Sequence, residues 1–582
     1  MLDHCVVLFA VGLAFAQVFA TPSNQDQLNG WYPCSNYTIS EPSNTRDAEC
    51  ASYMAPLCYP GICNASDIAD PTIGLFVKRY LATSGDPQNA TNVWLLQGGP
   101  GHASTGMEPL MISLQTRLEG MVNVYTMDHR GTGRSTRLDC ATAQATTPGS
   151  PSGVNVNPSE VSACAEDLQF QFGDLASFSM TTAATDIATF MSKYTNGKDT
   201  IVYGVSYGTA LVERLMHLNP PTVIGYVLDS IATASGASNF PFISMWDTDF
   251  GEVGETFLEL CKEDKECMSH FESGDLVSTL QGVIEKVDKE PNSTCSQVLI
   301  SKDGSGNEPP SFYLRRALGV LVADTNLRTL IPPIIYRLRR CGFGDIDVLT
   351  RFVSSLEILL KDSAKDNPLN SMLLYNLIVY SEMWETPTPS NEILKSRFTN
   401  MKVTNGGFTE GEGSVYELNS QYCAFSKEKS PTCDEFNVGN YDANPILYKR
   451  DEYWNKSATI PSHASVLLMS GKLDPLTPPK YAKYLLDVLN GDNKELVTFN
   501  YTGHATMMST PLVEGDPISK HCGMRIIASY VKNGGNLSSL DKSCMNEMPG
   551  FNLTIPTGYL HYYLGTEDAY NGAYNASLDV QN

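Results

Sequence analysis

The stretch "IVYGVSYGTALVERL", residues 201–215, joins a run suited to a β-strand to a run suited to a helix through Gly204, Ser206 and Gly208. Glycines two residues to either side of a serine at such a joint mark a sharp turn. There the serine takes a strained backbone conformation and its hydroxyl projects from the chain. Side chains at the glycine positions would strike the neighbouring strand and helix, so the spacing has a steric reason. Pro220 and Pro221 stop the helix that follows. A strand feeding directly into a helix must repeat along the chain to bury both elements, which makes this joint the strongest constraint on the fold.

The repetition is present. Short β-rich runs at 72–81, 93–99, 122–128, 200–206 and 223–230 alternate with helical patterns such as 181–194, and two more runs, 464–471 and 495–503, follow a long gap. Several are continuously apolar, as parallel strands covered on both faces are. The expected class is α/β with a mostly parallel central sheet. Within the gap, "LGVLVADTNLRTLIPPIIYRLRR", "DVLTRFVSSLEILLKD" and "LNSMLLYNLIVYSEMWE" read as helices, with Pro332 and Pro333 expected to break the first. The expected organisation is a signal peptide at 1–20, a first part of the sheet domain at 21–234, a mostly helical cap at 235–457, a second part of the sheet domain at 458–545 and a C-terminal tail at 546–582.

The apolar stretch at 6–16 is too short to span a bilayer, and small residues precede Thr21, the pattern of a cleaved secretory signal. Of 15 cysteines Cys5 leaves with that signal, and an even number remains for an oxidising compartment. Sequence proximity pairs Cys140 with Cys164, Cys261 with Cys267, Cys423 with Cys433 and Cys522 with Cys544. Asn36, Asn64, Asn89, Asn292, Asn455, Asn500, Asn536, Asn552 and Asn575 each begin an Asn-x-Ser/Thr sequon. Together these features predict a secreted, extracellular glycoprotein. The formal net charge of −24 argues against nucleic acid as a partner. No later run reaches the roughly 18 apolar residues of a membrane helix, so no membrane partner is expected. No cysteine or histidine spacing suggests a zinc site.

A nucleophilic serine needs a base, and the base needs a carboxylate; on this kind of sheet they follow in the order Ser, Asp/Glu, His. "VLLMSGKLDPLTPP" places Asp474 after one apolar strand, and "LVTFNYTGHATM" places His504 after the next. Asp229, ending "GYVLD", is the alternative acid. His463 precedes Asp474 and breaks the order, and His521 stands at the start of a helical run. An oxyanion hole needs two backbone N–H groups. Tyr207 supplies one, and "LLQGGPG" offers Gly99 for the other, with Gly98 next. Such chemistry requires no metal and no organic cofactor.

"GGPG" at 98–101, "DHRGTGRS" at 128–135, "GVSYGT" at 204–209, "GKLDPLTP" at 471–478 and "GHA" at 503–505 resemble the proline iminopeptidase and tripeptidyl aminopeptidase group of α/β-hydrolase serine peptidases. The segment 522–544 resembles the C-terminal part of the secreted tripeptidyl aminopeptidases. The resemblance covers about residues 72–232 and 455–545. It implies an α/β-hydrolase fold with a large helical cap inserted between strands, and removal of residues or short peptides from free peptide N-termini through an acyl-enzyme. It also implies that cap carboxylates hold the substrate's α-ammonium group. Glu382 matches the acidic position, and a continuing helix would bring Glu385 to the same face. Gln97 stands where the group often has His, and Tyr207 where many members carry Trp or Gly. Asp128 and Arg130 are expected to brace loops. A secreted esterase or lipid-type hydrolase with the same triad, or a non-catalytic binding protein of the same fold, are the alternatives. Oligomeric state and the number of residues removed stay open. An unperturbed histidine base predicts activity declining below roughly pH 6.

Overall fold

The computed structural model describes residues 27–35, 48–64, 67–140, 156–235, 242–271, 275–300, 308–363, 367–407, 418–513 and 520–578, with side chains omitted at 362 and 363. The expected signal peptide, Cys5 and Asn36 lie outside these residues. Among them, nine strands form one sheet in the order β1-β2-β3-β5-β4-β6-β7-β8-β9. They are β1 Tyr32–Cys34, β2 Ala48–Pro56, β3 Thr72–Tyr80, β4 Asn92–Leu96, β5 Asn123–Asp128, β6 Thr200–Ser206, β7 Val223–Ile231, β8 Ser465–Gly471 and β9 Lys494–Phe499. From β5 to β9 every pairing is parallel, and β1, β2 and β3 add an antiparallel edge. Strands β1 and β2 were not among the expected runs.

The apolar runs are continuous because each strand feeds two cores by turns. Trp94, Leu96, Val202, Leu228, Val466 and Leu468 face one layer with the helices Met180–Tyr194 and Tyr207–Leu218. Their neighbours Val93, Leu95, Ile201, Tyr203, Val227, Leu467 and Met469 face the other, with the helices Glu108–Arg117 and Cys522–Lys532. The period-2 alternation of side chains thus leaves no polar face on the central strands.

Between β7 and β8 the chain builds helices whose earlier part has a core of its own, including Phe250, Leu280, Leu318, Ile334 and Phe352, while Leu374, Tyr380, Phe398 and Tyr422 of the later part join the first layer on the sheet. Pro332 and Pro333 do not break a helix here. The helix Pro310–Ala323 has already ended, and the prolines sit in the first turn of Ile331–Arg340, where their missing N–H groups cost no helical bond. The tail returns to this cap: Leu553, Tyr563, Leu564 and Tyr570 join its core. The buried guanidinium of Arg337 donates to the carbonyls of Asp568, Ala569 and Gly572 at 2.7–3.1 Å.

Seven cysteine pairs are placed as disulfides: the four expected from sequence proximity, and Cys34–Cys50, Cys58–Cys63 and Cys295–Cys341. Among the described residues no helix is long and apolar enough to cross a membrane.

Arg130, after β5, is fully buried and forks onto Asp186 through two 2.7 Å bonds while donating to the carbonyls of Leu57, Pro56 and Ser177. This ties the sheet to the helix Met180–Tyr194. Replacing Arg130 with Met leaves the Asp186 carboxylate buried without its cation. Equilibrium urea unfolding is expected to show a loss of about 3–5 kcal/mol, and an unchanged midpoint would refute the bracing role.

Candidate active site

Ser206 closes β6 with φ 57° and ψ −128°, and Tyr207 opens the next helix without an intervening loop. The two glycines are needed for the reason the spacing suggested. A Cβ at Gly204 would lie 2.3 Å from the Gly208 carbonyl oxygen, and one at Gly208 would lie 2.8 Å from that of Leu96. Gly98 packs directly on the serine: a Cβ there would lie 2.8 Å from Ser206 Cβ and 3.4 Å from its hydroxyl. Tyr207 is the first residue of its helix, so its N–H has no carbonyl one turn back to bond within that helix.

The Gly98–Gly101 loop is held from several sides. Gln97 Oε1 accepts the Gly98 N–H at 2.9 Å, so this glutamine braces the loop through its own neighbour. That bond engages the Gly98 N–H. Gly99 has φ +116°, a region closed to most side chains. Gly101 O accepts the N–H of Ser371 at 2.8 Å, where a cap helix begins. Asp128 accepts from Ser104 N and Oγ, both at 2.7 Å, and from Arg134 at 2.6–2.8 Å. Burial pushes this carboxyl up, but the Arg134 hydrogen bonds and charge outweigh it and hold it below its ordinary value. Both Asp128 and Arg130 therefore serve as loop braces.

Asp474 and His504 come together. His504 Nδ1 lies 2.9 Å from Asp474 Oδ2 and 3.1 Å from Oδ1, with the carboxylate fully buried and the imidazole partly exposed. A carboxylate only accepts, so Nδ1 carries the proton and neutral His504 keeps its lone pair on Nε2. Asp474 also accepts the N–H groups of Leu476 and Thr477 at 3.0 Å and the Thr477 hydroxyl at 2.7 Å. Thr477 was not among the expected site residues; its place three residues after an aspartate is that of a side chain closing an Asx-type turn. Burial alone would lower the His504 pKa, but the charge and hydrogen bond of Asp474, with a further push from Asp229, leave it raised. For Asp474, burial pushes upward, and the charge and bond of His504 with the Thr477 bonds bring it below its usual range.

His504 and Ser206 share one rim of the sheet. The residue after the histidine, Ala505, donates its N–H to Ser230 Oγ at 2.8 Å, and Ser206 pairs, across a shift in register, with Ile231 of the same strand. Ser206 Oγ and His504 Nε2 are not hydrogen-bonded to each other; bonds of this kind tighten when substrate binds. His463 lies before β8, at the opposite end of that strand from Asp474, and His521 precedes the helix Cys522–Lys532.

Glu382 and Glu385 do not converge. The helix Met372–Glu382 ends at the first of them, so the shared helical face expected from their spacing is not formed. Buried Glu382 accepts from Arg214 at 2.8 Å and from the Tyr448 hydroxyl at 2.7 Å. Glu385 accepts from Ser244 and, at 2.5 Å, from Arg397. Each carboxylate is paired with its own arginine.

Residues 91–282 match the family described as alpha/beta hydrolase fold. The fold is that of the α/β hydrolases. Similar solved structures include a proline iminopeptidase of Mycobacterium smegmatis, 12% identical over 81% of this chain and 98% of that one with a TM-score of 0.29. An esterase (EaEST) from Exiguobacterium antarcticum is 11% identical over 76% of this chain and 92% of its own, with a TM-score of 0.26. The alpha/beta hydrolase domain-containing protein 10 from mouse is 10% identical over 81% and 96%, at 0.29. The chain matches no curated protein.

Gly204→Ala tests the α/β-hydrolase junction directly, because the added methyl meets backbone that cannot rotate away. A loss of about 1–3 kcal/mol in urea unfolding is expected. Wild-type stability in this variant would show the packing to be looser than the distances state.

Proposed function

We propose that this chain is a serine hydrolase that removes residues or short peptides from free peptide N-termini through an acyl-enzyme. The observation that carries the hydrolytic reading is the Asp474–His504 pair, whose loop is bonded to the strand beside Ser206. Ser206 attacks the scissile carbonyl, and His504 Nε2 takes its proton and later gives it to the leaving amine. Asp474 holds the imidazole in the tautomer that leaves Nε2 free. The N–H groups of Tyr207 and Gly99 receive the developing oxyanion. Water then repeats the attack on the acyl-enzyme with His504 as base.

The preference for a free amine draws on the sequence motifs. In that reading Glu382 is the acid that holds the α-ammonium group, with Glu385 beyond it. Their pairing with Arg214 and Arg397 favours a second reading, an esterase with the same triad, since neither carboxylate is left uncompensated for a cation. Fluorogenic mono-, di- and tripeptide amides with free amines, run against N-blocked esters, separate the two. Turnover of the free-amine amides is expected, and cleavage confined to blocked esters assigns the second.

We also place the protein outside the cell. The seven disulfides suit an oxidising compartment, and seven of the eight sequon asparagines in described residues are exposed, Asn455 being half-buried.

Ser206→Ala is expected to lower kcat by about a millionfold with the fold intact, as judged by circular dichroism. Turnover retained in this variant would eliminate the mechanism. The pH profile follows from the raised His504 pKa, since the imidazole must be neutral to accept a proton. The acid limb of kcat/KM is expected to have its midpoint above about pH 6.5, higher than an unperturbed histidine gives. Rates falling away as pH drops through that value fit; a midpoint near pH 5 does not.

A further inference from the structure

Asp229 lies near the C-terminal end of β7 and is fully buried, and no cation among the described residues is hydrogen-bonded to it. Four donors surround its two oxygens. Oδ1 accepts the Thr506 N–H at 2.9 Å and the Thr506 hydroxyl at 2.7 Å; Oδ2 accepts the Met507 N–H at 2.9 Å and the Tyr203 hydroxyl at 2.8 Å. Thr506 and Met507 follow His504 by two and three residues, and Tyr203 lies on β6, three residues before Ser206. One carboxylate therefore joins the strand carrying the serine to the loop carrying the histidine. A carboxylate is the side chain that accepts four donors without presenting one of its own; an asparagine would turn its amide hydrogens toward groups that also donate.

We propose that Asp229 is a positioning residue for His504, fixing the histidine loop against β6 and adding negative charge near the imidazole. This rests on His504 being the general base. Among the described residues, Asp474 and Thr477 from the loop after β8 lie against the imidazole and Asp229 from β7 acts on it through its charge; Tyr203 from β6 and Thr506 from the histidine loop bond Asp229. Burial outweighs its four donors and leaves the Asp229 pKa above the usual carboxylate value. Two backbone N–H groups aimed at it favour the ionised form, because they cannot reverse direction as hydroxyls can.

The test is Asp229→Asn in the full-length protein, with two readouts. One is kcat and KM on the best substrate of the free-amine and ester screen. The other is the rate of diethylpyrocarbonate modification of His504 across pH 5–9, followed by peptide mass mapping, which reports the imidazole pKa without any turnover. A kcat at least tenfold lower with KM within twofold, and a His504 midpoint displaced to lower pH, are expected. A midpoint that stays in place overturns the proposal, even if kcat falls, since a purely structural role would leave the imidazole's electrostatics unchanged. Should wild type turn over no substrate while the midpoint still shifts, the catalytic reading falls and the link from Asp229 to His504 stands. If Asp229→Asn does not fold, Thr506→Val cuts one strut and keeps the charge. Its plateau modification rate at His504 is expected to rise at least twofold as the loop loosens, and a wild-type plateau overturns the proposal.

Discussion

Backbone contact at the end of β6 is the constraint from which the site takes its shape. The strand, the helix after it and the loop after β4 meet with so little space that Gly204, Gly208 and Gly98 cannot carry side chains. Ser206 takes the positive φ that such a junction imposes. The strain is small beside the buried sheet that encloses it, and that imbalance keeps the hydroxyl in one place. Each neighbouring loop is then set by its own strand, because parallel strands release their C-terminal loops at a common edge.

Charge performs the second layer of placement. Asp128, Arg130 and Asp229 are all buried, and each binds loop backbone rather than solvent. Arg214 lies on the helix that begins with Tyr207 and reaches Glu382 and Asp451, so the helix behind the serine is bonded to residues from the cap region. The cap is thus referenced to the same helix that begins directly after Ser206.

Much of this was legible in the sequence because it depends on local sterics and strand periodicity. The strand at 200–206 is found at those bounds, and the loops carrying Asp474 and His504 open at one rim because their strands are parallel neighbours. What escaped depends on contacts between distant residues. Nothing around Glu382 announces Arg214, 168 residues away, and nothing around Asp229 announces Thr506, 277 residues away. The prolines at 332 and 333 misled because their meaning depends on whether a helix is ending or starting, and that is set by packing at 324–331. Strands β1 and β2 escaped because β1 is only three residues long and β2 mixes small and polar residues with its buried ones.

The tail's return to the cap has a mechanical consequence. An inserted module anchored only by two adjacent strands has a natural axis of rotation through its two attachment points, and it can rock about that line. Arg337 gripping three carbonyls of the tail adds a fixed point beyond the two attachments, as Arg214 does through Glu382 and Gly101 through Ser371. Rocking the insertion as one piece would therefore first require peeling the final segment away.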